Sequence, residues 1–295
     1  MKLFTGTPLS QFAPAQPQPV VAATSAPRVV LALPEPPSRV RLMPVMRLAA
    51  GGRWRVEAMR ALSEPLLLWF TRGQGRITLG GSTRGYGTHN AIFIPAGVMH
   101  SFDLAPQSHG TALFFGAGTD VALPPSAQHL RIREAGPQAE LSGILDQIQR
   151  ELDSARPGAE RAAQHHLGLL SVWLERQIAA QADEPRAIPA ARRLAARFTA
   201  LLERDFRSGH GVADYAAELG VTPTHLTRAC REACGRTASD LLQDRRLYEA
   251  RRLLAETRAP VKAISEGLGF ASPAYFTRAF HARIGKTPSA FRKGV

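Results

Sequence analysis

Arginine and threonine recur with one spacing near the end of this sequence. Arg228 matches Arg278, and Thr237 matches Thr287, both at an offset of 50 residues. An arginine side chain can donate two hydrogen bonds to the edge of a guanine, and threonine offers a hydroxyl and a methyl group. The repeat is therefore suited to recognising bases and phosphates.

The elements that carry these residues are predicted to be two helix-turn-helix units. In each copy a short helix ends at a glycine, Gly220 or Gly269, which can adopt the left-handed conformation at little cost. A second helix then begins at Thr222–Pro223 or Ser272–Pro273, because the hydroxyl can cap and proline suits the first turn. Two such units in tandem indicate a reader of DNA.

Net charge supports the same interpretation. The 295 residues carry +13, and from residue 186 onward there are 20 Lys plus Arg against 10 Asp plus Glu, so +10 of the +13 lies there. A basic surface can also bind membranes or acidic proteins, but its coincidence with the repeat favours duplex DNA. No apolar run reaches the roughly 18 residues of a membrane span, and no secretory signal is apparent, so a cytoplasmic location is expected.

Two cysteines raise the alternative of a redox or metal switch. Cys230 and Cys234 lie four residues apart, which provides half of a metal site and no disulfide framework. In the repeat they match Phe280 and Ile284, positions expected to pack inward. We therefore interpret both as buried side chains that behave as small hydrophobic groups.

The remaining chain divides by composition. Residues 1–38 contain eight prolines and predict a disordered leader. Residues 39–135 carry short β-rich runs separated by glycines, typical of a small barrel or sandwich. The runs are Trp54–Met59, Leu66–Thr71, Arg76–Leu79, Ala91–Ile94 and Thr111–Phe115.

Helical periodicity follows from 136 to 182 and predicts a helical hairpin that packs on the barrel. A remaining apolar face of this hairpin can pair with a second subunit, so a homodimer is expected. Residues 183–189 form the predicted linker. Residues 190–295 form the predicted all-α domain, with the units at about 212–233 and 261–283 joined by a long helix over 238–255. The expected fold class is thus α+β and multidomain.

The C-terminal segment resembles the AraC/XylS family of bacterial transcription regulators. The segments that carry the resemblance are Leu226–Arg228, Gly235–Thr237, Arg246–Leu254, Ile264–Phe270, Tyr275–Phe280 and Gly285–Pro288. The resemblance implies that the second helix of each unit enters a major groove and that no catalysis is involved. It implies RNA polymerase as a further partner. It also implies DNA contacts, to bases or to phosphates, from Thr224, His225, Thr227, Arg228, Arg231, Ala274, Tyr275, Thr277, Arg278 and His281.

The N-terminal segment resembles a cupin barrel. Asn90–His100 has the form P-x-G-x-x-H, and Trp69–Leu79 looks like the hairpin before it. Metal-dependent cupins need two His and a Glu where this chain offers Arg60, Leu62 and Leu66, so no metal or cofactor is expected. As an effector domain, the barrel is expected to bind a small molecule through Arg60, Trp69, His89 and His100.

Three functions remain open at this point. The first is a transcription factor that responds to an effector in the barrel. The second is a constitutive DNA-binding regulator whose barrel only dimerises. The third is a cupin enzyme with a DNA-binding tail, which the missing metal ligands disfavour.

Overall fold

The computed structural model of this protein describes residues 39–116, 119–181 and 188–294. The predicted leader 1–38 and most of the predicted linker 183–189 lie outside these ranges. Within them the chain is of the mixed α+β class, with an N-terminal β-sheet part and a C-terminal helical part. This agrees with the predicted class at that level.

The N-terminal part contains two antiparallel sheets. The larger has the strand order β1-β7-β2-β5-β8 and the smaller has the order β4-β3-β6. The strands are β1 (Arg41–Pro44), β2 (Leu66–Arg72), β3 (Gly75–Leu79), β4 (Ser82–Tyr86), β5 (Asn90–Ile94), β6 (His100–Phe102), β7 (His109–Phe114) and β8 (Gln128–Arg131).

Strand alternation divides the apolar side chains between two cores. In β2, Leu66, Leu68 and Phe70 belong to the core between the sheets, whereas Leu67 and Trp69 belong to the core beneath two long helices. This follows from the two-residue period of a strand. The space between the sheets is filled by large side chains, and Phe70 stacks on Tyr86 at 4.1 Å between ring centroids.

The two long helices, α2 (Ala135–Leu152) and α3 (Ala159–Ala180), form the hairpin over the larger sheet. Their buried residues, among them Leu141, Leu170 and Trp173, pack against the outward side chains of that sheet. The Trp173 indole donates a hydrogen bond to the Pro137 carbonyl at 3.2 Å and ties the two helices together.

One predicted strand is wrong. Residues of the run Trp54–Met59 instead form a single-turn helix, α1 (Trp54–Glu57), after a 3-10 helix over Val45–Ala49. Gly51 and Gly52 both have positive φ and turn the chain into α1, and Arg53 pairs with Glu57 one turn later at 2.5 Å. The apolar side chains of this run pack in different parts of the molecule. Their spacing in the sequence therefore did not correspond to one face of a β-sheet.

The C-terminal part is helical throughout its described residues. Its helices are α4 (Ala190–Asp205), α5 (Val212–Glu218), α6 (Pro223–Cys234), α7 (Ala238–Glu256), α8 (Val261–Gly267), α9 (Pro273–Ile284) and α10 (Pro288–Lys293). The pairs α5–α6 and α8–α9 occupy the two copies of the repeat, and α7 joins them. Thr237 begins α7 with a capping box that it shares with Asp240.

Candidate nucleic-acid interface

Helix α6 carries the first set of predicted DNA contacts. Thr222 caps its start by accepting the His225 backbone N–H at 3.2 Å, and Gly235 ends it in the left-handed conformation. One face buries Leu226 and Cys230. The other face exposes Thr224, His225, Arg228 and Arg231, with Thr227 half-buried at its edge.

Helix α9 repeats this construction. Ser272 accepts the Tyr275 backbone N–H at 3.1 Å, and Gly285 ends the helix as Gly235 ends α6. Phe276 and Phe280 are buried. The solvent side exposes Ala274, Tyr275, Arg278 and His281, while Thr277 is half-buried and its hydroxyl donates to the Pro273 carbonyl at 2.9 Å.

The arginines on these faces lack competing partners. Among the described residues, neither Arg228 nor Arg278 forms an ion pair with a carboxylate. A guanidinium that is already paired would have to break that pair to bind a phosphate or a base. Both exposed faces therefore present donors that are ready to bind an anionic duplex.

Helix α7 fixes the first helix pair through buried polar contacts. Arg246 donates to the carbonyls of Phe206 at 2.7 Å and His210 at 2.9 Å, which holds the loop between α4 and α5. Arg245 binds Glu203 at 2.6 Å and Glu249 at 3.1 Å. Because these side chains are buried, the contacts hold α4 and α7 in one orientation.

Glu249 is the centre of this network. It also accepts hydrogen bonds from Arg207 and Arg252, both at 2.8 Å. Burial alone would raise the pKa of its carboxyl, but Arg245, Arg252 and Arg207 outweigh burial and lower that pKa to about 2. The carboxylate is therefore charged at neutral pH.

The second helix pair closely approaches the loop that leads into the first pair. Gly269, in the turn between α8 and α9, has φ +70° and lies against the loop between α4 and α5. A Cβ at this position would overlap the backbone nitrogen of Gly209 and lie 2.7 Å from the carbonyl oxygen of Arg207. Only glycine lets the second pair lie this close to that loop.

Both cysteines are free and lie in or beside the core of the C-terminal part. Cys230 is fully buried, like its repeat partner Phe280. Burial, followed by the neighbouring Cys234, raises the pKa of the Cys230 thiol to about 12. The thiol is therefore protonated and unreactive at neutral pH, as predicted for a structural cysteine.

The N-terminal part contacts this DNA-binding framework through α1, which sequence reasoning missed. The Trp54 ring lies 5.6 Å from that of Tyr248 in α7 and 6.1 Å from that of Phe291 in α10. The Met59 backbone N–H donates to the Asp244 carboxylate at 2.8 Å. The sequence offered only a weak signal for this docking segment, a tryptophan shortly after two consecutive glycines, Gly51 and Gly52.

The four predicted effector residues do not form one site. Arg60 and His100 are buried together, joined by backbone hydrogen bonds, beside α7. Trp69 points away from the space between the sheets, hydrogen-bonds Ser142 of α2 and stacks on His89. Trp69 therefore faces the helical hairpin and not the space between the sheets, and its predicted role in ligand binding stays a prediction.

Arg60 and His100 are held by the protein itself. Arg60 donates to the Val56 carbonyl at 2.9 Å and lies over the Phe102 ring, and burial lowers its pKa to about 10. His100 bonds the Val98 carbonyl through Nδ1, and burial, then the charge of Arg60, lowers its pKa to about 3. His100 is therefore neutral, and the predicted role of the pair in ligand binding stays a prediction.

Within the described residues, no group of three or more His, Cys, Asp or Glu side chains is arranged to hold a metal ion. The described helices also include none that is long and apolar enough to cross a bilayer.

Comparison with known proteins agrees with the geometry of the C-terminal part. Residues 215–294 match the family model described as a helix-turn-helix domain. The chain is 31% identical over 87 residues to the arabinose operon regulatory protein of Escherichia coli strain K12, an alignment that covers 30% of this chain and 30% of that protein. The chain thus spans under a third of that relative's length.

Two further likenesses extend beyond this domain. The transcriptional regulator CdhR of Pseudomonas aeruginosa is 25% identical over 250 residues, which cover 80% of this chain and 69% of that protein. The solved structure of fatty acid-bound ToxT from Vibrio cholerae has 13% identity and a TM-score of 0.40, covering 87% of this chain and 96% of that one.

Proposed function

We propose that this protein is a sequence-specific DNA-binding regulator of transcription of the AraC family and not an enzyme, which its match to a helix-turn-helix family model and its likeness to named transcriptional regulators support. The observation that carries the proposal is the pair of capped helices, α6 and α9, which expose unpaired arginines at equivalent positions. Because the partner is DNA, the protein acts in the compartment that holds the chromosome.

Both helix pairs act as helix-turn-helix units in this proposal. Helices α6 and α9 enter successive major grooves on one face of the duplex, about 34 Å apart along its axis. Arg228 and Arg278 take guanine edges or phosphates, and Thr224 and Thr227 contact bases beside the first arginine. The backbone contacts come from Arg231 and His281, one turn further along each helix.

The N-terminal part acts as a cupin-like effector domain over residues 39–135, followed by the hairpin over 136–182. Contact between Trp54 and both α7 and α10 supports this role, because α10 packs on α9 through Phe291 and Phe280. A ligand that changes this docking changes the orientation of α9. Differential affinity of the ligand for two such states is what allostery requires.

The hairpin supports a homodimer. Leu169 and Val172 lie one turn apart on α3 and are 56% and 40% exposed. Two exposed aliphatic side chains on one helix face are suited to the same face of a second copy. A dimer would offer four reading helices to an operator and a surface to RNA polymerase.

A constitutive regulator is the second candidate function. The packed interior between the sheets, where Phe70 lies between Tyr86 and Phe102, favours it. In that case the N-terminal part serves assembly, and no small molecule changes DNA affinity.

The test of DNA reading compares three arginine substitutions. Arg228→Ala and Arg278→Ala each lose about 1–3 kcal/mol at the operator and relax preference at one base pair if they read guanine. If affinity instead falls equally for all DNA sequences, and the slope of log affinity against log salt concentration is smaller by about one, the arginine contacts a phosphate. Arg258→Ala, which removes an exposed charge between the two units, is the matched control. If all three variants bind alike, α6 and α9 are not the reading helices.

A further inference from the structure

A polar cleft of about 530 Å³ lies at the edge of the N-terminal part. Of the four effector residues predicted from the sequence, His89 alone lines it. It forms where the loop between β4 and β5 meets the residues that join β8 to α2. Its walls include Gln74, His89, Arg131, Arg133 and Gln138. Neither the DNA-reading helices nor the packed interior uses this space.

Positive charge dominates the cleft. Arg131, the last residue of β8, and Arg133 are both exposed and both line the cleft, whereas Ile132 between them is buried. In the described part of the chain neither guanidinium forms an ion pair. Glu134, the next acidic residue in sequence, is not a wall residue. The cleft thus holds two uncompensated cations.

Arg84 of β4, which does not line the cleft, is a third positive charge near this edge. Half-buried His129 hydrogen-bonds Asn90 at 2.7 Å beneath the cleft. Burial, followed by the charges of Arg84 and Arg131, lowers the pKa of His129 to about 4. The imidazole of His129 is therefore neutral at neutral pH, and Arg131 and Arg133 supply the positive charge of the cleft wall.

His89 shows backbone strain at the cleft wall. It is the non-glycine residue with positive φ, +56°, in the described ranges. Its N–H donates to the Phe70 carbonyl at 2.7 Å, and its own carbonyl accepts from Ile132 at 2.9 Å. Glycine would adopt this conformation without strain, so backbone strain is stored at His89 beside the cleft.

We propose that this cleft binds a small hydroxylated anion. Arg131 and Arg133 hold its carboxylate or phosphate, because guanidinium groups bind both in a bidentate manner. The amides of Gln74 and Gln138 hydrogen-bond its hydroxyl groups, and the Gln138 amide oxygen takes no bond from a described residue. The imidazole of His89, backed by the Trp69 ring at 5.8 Å, closes one side.

The position of the cleft connects it to DNA reading. Tyr86, at the end of β4, is a wall residue, and β4 packs against α4 and α6. At the opposite end of β4, a Cβ on Gly81 would lie 3.0 Å from the Ala195 carbonyl of α4. A ligand that moves β4 therefore bears directly on the first reading helix. Only this consequence rests on the proposed function, since anion binding itself does not.

The experiment measures ligand binding and DNA binding separately on the full chain. Isothermal titration and thermal melting are run with gluconate and glucuronate as carboxylates, glucose 6-phosphate and glycerol phosphate as phosphates, and glucose and glycerol as neutral controls. The test variants are Arg131→Gln with Arg133→Gln, and His89→Gly, whose glycine accepts the existing backbone conformation. The matched control is Arg47→Gln with Arg150→Gln, which removes equal charge from exposed sites outside the cleft.

At least one anion, and neither neutral compound, is expected to bind and raise the melting temperature. The cleft double variant and His89→Gly should weaken its affinity about tenfold or more, while the control pair binds as wild type does. The ligand should also change tryptophan fluorescence, and Trp69→Phe should remove that change. Whether carboxylates or phosphates respond identifies the anionic group.

Two results would overturn the inference. If the anions stabilise the cleft double variant as much as wild type, they bind elsewhere, on the basic DNA-binding domain. If no anion of either set binds the wild type, the cleft has no such ligand. In both cases the proposed regulatory function stands if the protein still binds duplex DNA. If the wild type binds an anion in the cleft but does not bind duplex DNA, the regulatory function is refuted and the anion site is not.

Discussion

Gly220 and Gly269 occupy equivalent turns of the two helix pairs, both with φ +70°, and their replacement by alanine should have unequal effects. The left-handed conformation costs an alanine about 1 kcal/mol at either position. At Gly220 a Cβ meets nothing within 4 Å. Gly220→Ala should therefore lose about 1 kcal/mol of unfolding free energy and no more.

At Gly269 the new methyl group also collides with backbone. The atoms it meets, the nitrogen of Gly209 and the carbonyl oxygen of Arg207, belong to a loop whose ends Arg246 holds by two hydrogen bonds. Forcing such a loop to move costs about 1–3 kcal/mol more. Gly269→Ala should therefore lose about 2–4 kcal/mol.

Urea unfolding of the two variants, followed by helical circular dichroism, measures this difference. With a slope of about 2 kcal/mol per molar urea, the midpoint should fall by about 0.5 M for Gly220→Ala and about 1–2 M for Gly269→Ala. Because Gly269→Ala displaces the second pair relative to the first, it should also weaken binding to a two-box operator. Equal midpoints would refute the proposed tight approach between the pairs.

Three more predictions concern the core, the docking segment and the ion network. Cys230→Ser should lose about 1–3 kcal/mol of unfolding free energy in urea, because its hydroxyl would be buried without an assigned partner. The wild-type thiol should resist thiol reagents at neutral pH. Equal stability of the variant and the wild type would contradict the placement of Cys230 in the core. Trp54→Ala should lose about 1–3 kcal/mol of domain docking, visible in calorimetry as two separated transitions where wild type has overlapping ones; unchanged melting would argue against docking. The depressed pKa of Glu249 means that its stabilising contribution, on the order of 3 kcal/mol, is present above about pH 4.5 and is lost as pH falls towards about 2. In the Glu249→Gln variant, the urea midpoint should therefore fall less steeply than in wild type as pH is lowered through this range. An unchanged pH dependence of the midpoint would contradict the ion network.

The C-terminal helices could be predicted because local signals and the internal repeat agree. Thr222 and Ser272 cap helices one repeat apart, and Gly235 and Gly285 end them with the same conformation. Each such feature depends on a few adjacent residues. The exposed and buried faces then follow from the helical period, so Arg228 lies outside and Cys230 inside as expected.

The N-terminal part was less predictable because its central strands β2 and β5 are buried on both faces. Leu66 to Phe70 form an unbroken apolar run, and the period of a strand separates two faces without saying which one meets the helical hairpin. The sequence therefore did not predict that Trp69 faces the hairpin. The docking of Trp54 and the meeting of His89 with Arg133 depend on contacts between distant segments, which local patterns do not encode.

In the proposed function, two units read DNA together at a fixed separation. Binding of the full-length protein to a fluorescent library of duplex DNA, at about 150 mM salt where nonspecific charge contacts are weakened, tests it most directly. Enrichment of a site with two short boxes about one helical turn apart is the predicted result. Uniform weak binding to all duplexes, or enrichment of a single isolated box, would contradict it.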